Sequence, residues 1–151
     1  MNDTTAAPAR VPVLYWIFAG LSLIWNLFGA YDYVMTRIGN VAYLDTATQG
    51  HGEIALQWVA SLPMLAQVGW PVGVWGSVLG SVLLLIRSRH AALAFIASLV
   101  GAAVSFAVQL TSAVPAELDT NANKVMPIVI LAVVVAQWWW SRRCADQGLL
   151  R

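Results

Sequence analysis

The sequence predicts an all-α integral membrane protein, a four-helix bundle forming a single domain over residues 1–151. Three observations carry that expectation. Charged residues make up 10% of the chain and hydrophobic ones 60%, whereas soluble domains carry about 25% charge. The mean hydropathy is +0.71. The few charges are placed so that four long uncharged runs remain between them, and an ionised side chain at the bilayer centre costs about 2.5–3.5 kcal/mol even on the mildest insertion scale.

Each run is then read in turn. Residues 11–31, between Arg10 and Asp32, reach about 30 Å at the helical rise, which matches the hydrocarbon layer and gives a span over 12–35. The apolar stretch is too long for a signal peptide and no A-x-A site follows it, so the helix is expected to be retained. Residues 54–86 exceed one span and contain Pro63, Gly69 and Pro71. They divide into a surface piece before Pro63 and a span over 67–87. The third span covers 91–112, stopping before Pro115, and the fourth, 124–141, is the shortest. The link at 87–90 is so short that spans two and three must form an antiparallel hairpin. In the outer loop, 38–66, the mixture of Ile54, Trp58 and Leu62 with Glu53, Gln57 and Ser61 predicts a short interfacial helix.

Orientation follows from the basic residues. Arg10, Arg87, Arg89, Arg142, Arg143 and Arg151 share one side; Arg37 and Lys124 lie on the other, with Asp45, Glu53, Glu117 and Asp119. Both termini are therefore expected in the cytoplasm. Trp138, Trp139 and Trp140 with Arg142 and Arg143 read as an anchor at that interface, Arg87 lies at the same level, and Trp70 marks the opposite one.

Other classes are set aside on chemistry. A net charge of +1 lacks the basic surplus that phosphate neutralisation needs, so nucleic-acid binding is not expected. The single cysteine, Cys144, excludes an internal disulfide. The sequence has no Ser/His/Asp order, Walker loop or dinucleotide fingerprint. Neither an enzyme nor a cofactor is expected. His51 and Glu53 resemble half of a metal site, but a lone pair of ligands falls short of the three protein ligands zinc takes, so no metal is expected.

In lipid, helices associate through small residues that let backbones approach. Gly73, Gly76 and Gly80 mark such a face on the second span, Ser98 and Gly101 on the third, and Gly29 on the first. These faces predict a compact bundle and allow a homo-oligomer. On the first span Asn26, Gly29 and Tyr33 fall on one face, and Gln109 continues the polar face of the third. Asn26 has two readings, a cargo-binding amide or a hydrogen bond between helices. Asp32 has further ones: a carboxylate inside the bundle that carries protons, or an interfacial one that is either solvated or paired with Arg37 or Lys124. Asn26, Asp32, Tyr33 and Gln109 are the candidate cargo or proton site.

The stretch Leu23-Ile24-Trp25-Asn26-Leu27-Phe28-Gly29-Ala30-Tyr31-Asp32-Tyr33 with Met35-Thr36 resembles a group of small bacterial four-helix inner-membrane proteins often labelled sugar transporters. Gly80-Ser81-Val82-Leu83-Leu84-Leu85-Ile86-Arg87 and Met126-Pro127-Ile128 extend the likeness over most of the chain. The resemblance implies the fold and the bacterial inner membrane, and its label names sugars as the cargo. Two functions are thus expected: a small-solute secondary transporter, or an accessory membrane protein acting through helix packing and partner binding.

Overall fold

In the computed structural model, which describes residues 11–151, the chain is helical throughout, with no strand among these residues. The elements are α1 (Val13–Arg37), α2 (Val41–Thr48), α3 (Gly52–Ser61), α4 (Met64–Leu85), α5 (Ala91–Thr111), a 3-10 turn at Ala116–Leu118 and α6 (Asn121–Asp146). Helices α1, α4, α5 and α6 are each long and apolar enough to cross a membrane. Their outward faces carry Leu21, Phe28, Leu79, Leu93 and Ile128 in the open. Such a surface suits acyl chains rather than water. Arg10 lies outside the described residues.

Three boundaries differ from expectation for local reasons. The 38–66 loop holds two short helices rather than one. Asn40 starts α2, its side chain accepting the Tyr43 N–H at 3.0 Å, and Gln49 ends it in the left-handed region at φ 56°. Helix α4 begins at Met64, just after Pro63, and runs through Pro71. A proline is tolerated inside a span when another donor meets the carbonyl it leaves free; here the Arg37 guanidinium takes that carbonyl, Gln67 O, at 3.2 Å. Helix α6 extends beyond the predicted 124–141 because Thr120 caps it, accepting the Asn123 N–H at 3.2 Å.

The closest packing is between α4 and α5, and glycine makes it possible. A Cβ built on Gly101 would lie 2.7 Å from Gly73 N and 2.8 Å from Gly69 O, and one on Gly76 would lie 3.0 Å from Ser98. At Gly80 it would meet the Phe95 ring at 2.8 Å. Serines complete the seam: Ser98 donates to Gly73 O at 2.5 Å, and Ser105 to Ala66 O at 3.3 Å. The small-residue faces of these spans are therefore occupied within one chain. Gly29 is a correction, because a Cβ there would meet nothing within 4 Å; Ala30, one residue on, is the buried position.

The start of α1, the α4–α5 turn and the end of α6 meet at one end of the bundle. Tyr15 donates its hydroxyl to Leu84 O, and Phe18 stacks on Trp140 with ring centroids 4.7 Å apart. The chain after α6 folds back so that Leu149 and Leu150 are buried beside Tyr15, Phe95 and Cys144. Arg87, held at φ 61°, accepts the Arg151 N–H and donates from Nε to Leu149 O at 2.9 Å. Arg87 is thus a tie for this tail as well as a charge at the helix end.

The tryptophan triplet divides its duties. Successive helical residues point about 100° apart, so the three face different sides of the helix. Trp138 and Trp140 pack against the core, while Trp139 is exposed with the Arg143 guanidinium 5.4 Å from its ring centroid.

Candidate functional site

Away from this tie, the four spans line a cavity of about 500 Å³. The seam keeps α4 and α5 together; α1 and α6 form the opposite walls. Its polar groups come from every span: Asn26 and Asp32 on α1, Ser77 on α4, Ser98 and Ser105 on α5, and Asn123 on α6. Aromatic and apolar surface fills the intervals, with Trp25, Phe28, Trp70 and Phe106 on one part and Met126 and Ile130 on another. Gly29 lies in this wall, where the missing side chain widens the space.

The floor of the cavity is a hydrogen-bonded cluster about Asn26. Its Nδ2 donates to Ser77 O at 3.0 Å, to Ser81 Oγ at 2.8 Å and to Gln137 Oε1 at 3.3 Å. The amide thereby links α1 to both α4 and α6, and it also lines the cavity. Of the two sequence readings of this residue, these contacts show the hydrogen bond between helices. Gln137, only 2% exposed, was not anticipated. Its signal was a lone amide within the apolar run of α6, on the helical face of the buried Ser141.

Asp32 stands above that floor, one and a half turns along α1. Its Oδ1 accepts the Tyr43 hydroxyl at 3.0 Å. Neither cation considered as its partner reaches it. Lys124 pairs with Asp119 at 2.8 Å on the surface. Arg37 donates to Gln67 Oε1 at 2.7 Å as well as to Gln67 O, and its guanidinium lies 5.4 Å and 5.7 Å from the Tyr33 and Trp70 ring centroids. No ion pair involves Asp32 among the described residues. Burial first, then the neighbouring Asp32 charge, pushes the Tyr43 phenol up to about 12, so it stays a donor at ordinary pH.

Two further candidates are placed elsewhere. Tyr33 belongs to the aromatic cluster around Arg37, edge-on to Trp70 at 5.1 Å and accepting Arg37 Nε at 3.3 Å. Gln109 donates to Ser105 Oγ at 3.1 Å and is not among the cavity walls. Trp70 faces both ways, a cavity wall on one hand and a platform for Arg37 on the other. Tyr43 was missed because its partnership with Asp32 depends on how α2 turns back over α1. His51 and Glu53 sit at the start of α3, away from these groups.

The chain matches no family model, no curated protein and no solved structure.

Proposed function

We propose that the protein is a small-solute transporter of the bacterial inner membrane, with both termini cytoplasmic and its cargo held in the cavity between the spans. The cavity carries this reading: about 500 Å³ lined by four apolar helices, with polar groups from all of them. Ligand sites are commonly concave and largely apolar, with a few placed polar groups that fix orientation. An ionisable side chain inside such a bundle is costly unless it serves a pathway or a partner, and Asp32 lines the space without an ion pair. The resemblance noted in the sequence makes sugars the first cargo to try.

The accessory reading assigns the glycine faces to helix packing or self-association and partner binding to the 38–66 loop; packing of α4 on α5 uses those faces within one chain.

The test is flux. Purified protein in liposomes is offered sugars, amino acids and amines with and without a proton gradient, alongside Asp32→Asn and Asn26→Ala. Saturable uptake that at least one variant reduces tenfold or more supports transport through this cavity. Uptake unaffected by both would place the pathway elsewhere, and no uptake of any class by folded protein would overturn the reading.

A further inference from the structure

Cavity charge narrows the cargo. Asp32 is the acidic residue in the lining, and no lysine, arginine or histidine among the described residues lines the space. The nearby cations are engaged elsewhere, Arg37 on Gln67 and the Tyr33 and Trp70 rings, Lys124 on Asp119. The single hydrogen bond to the carboxylate comes from a neutral phenol. A neutral donor satisfies one lone pair of Asp32 and leaves its charge uncompensated. In a low-dielectric surrounding that charge attracts a positive ligand much more strongly than it would in water.

The walls point the same way. Trp25 and Phe106 line the space, and aromatic rings attract cations through their quadrupole, most strongly when water is excluded. A neutral sugar would gain hydrogen bonds from Asn26 and the serines but would leave the carboxylate without a counter-charge. An ammonium group answers both features at once. Methylated or protonated nitrogen rests against the rings and Asp32 supplies the counter-ion, while hydroxyl or amide groups on the rest of the molecule reach Asn26.

We infer that the cavity binds a small organic cation, a protonated or quaternary amine, with Asp32 as its counter-ion and the Trp25 and Phe106 rings as its cation-binding wall. The inference rests on the cavity being the solute site, and it replaces the sugar-like cargo with a charged one.

The experiment is a binding titration on the full chain in detergent, read by calorimetry. The probes are choline, its neutral isostere 3,3-dimethylbutan-1-ol, tetraethylammonium and glucose. Choline or tetraethylammonium is expected to bind at least tenfold more tightly than the neutral isostere. Asp32→Asn is expected to lose at least tenfold in cation affinity, Asp32→Glu to retain most of it, and Trp25→Ala to weaken it several-fold. Circular dichroism and the thermal midpoint confirm that each variant is folded. Equal binding of choline and its isostere, or cation binding unchanged in Asp32→Asn, overturns the inference. Glucose binding that Asn26→Ala abolishes, with no cation binding, overturns the inference and leaves the cavity as the solute site. No binding of any probe by folded protein removes both.

Discussion

Tyr43 ties its proton to the fold. Its phenol is raised from the ordinary value of 10.0 to about 12, so the folded state holds that proton more tightly than the unfolded chain does. The contribution is fully present below pH 10 and is lost as pH rises from 10 through 12. Between pH 9 and pH 12 the thermal midpoint of the wild type in detergent should therefore fall more than that of Tyr43→Phe. Parallel curves would remove the coupling. Asn26 acts differently, because its amide meets three acceptors on two helices. Hydrogen bonds between membrane helices average about 0.6 kcal/mol and reach about 1.7, so Asn26→Leu should lower unfolding free energy by about 1–2 kcal/mol in denaturant titrations. The sequence exposed this residue because an amide inside an apolar run must find partners. It did not expose the state of Asp32, since that turns on where Arg37 and Tyr43 reach, and both are placed by packing between elements distant in the chain.

Among elements, the α4–α5 seam is the least able to adjust. A leucine at Gly101 would drive carbons into the backbone of Gly69 and Gly73, and overpacking of this kind costs about 1–3 kcal/mol or more. Gly101→Leu should lower the thermal midpoint clearly. Gly29→Ala should leave it unchanged or raise it slightly, since alanine is favoured over glycine in a helix by about 0.5–1 kcal/mol. Equal losses at both sites would mean that the seam is not the rigid part. Spacing in the sequence revealed which spans carry small residues, but it treated Gly29 and Gly76 alike. Three- and four-residue periodicity gives the face of a helix, not what stands opposite it. The short helices were harder still, as α2 and α3 owe their limits to the Asn40 cap, the Gln49 turn and the bond from Gly52 N–H to Asp45 Oδ1 at 2.8 Å.

For the whole molecule, the four spans were legible because hydrocarbon excludes charge over a fixed thickness, and the sequence alone records where charges fall. Sidedness is a separate question. Cys144 is 2% exposed, so its failure to react with a thiol reagent reports burial rather than location. In a Cys144→Ala background, Thr46→Cys should label with an impermeant maleimide on intact bacteria, and Gln147→Cys only after permeabilisation. The reverse pattern would invert the proposed orientation. The cavity itself was not legible. It is lined by residues of all four spans and of α2, a juxtaposition of distant segments that no local pattern encodes.

Pro71 has a reach that its own contacts do not suggest. With no N–H to offer, it leaves Gln67 O open, and Arg37 occupies that acceptor. A backbone gap on one helix thus helps hold a guanidinium on another away from the carboxylate five residues before it. Pro71→Ala would give Gln67 O a helical donor and loosen that hold, freeing Arg37 to turn toward Asp32. The substitution alters no side chain that lines the cavity, yet the electrostatics at Asp32 depend in part on a missing hydrogen atom elsewhere.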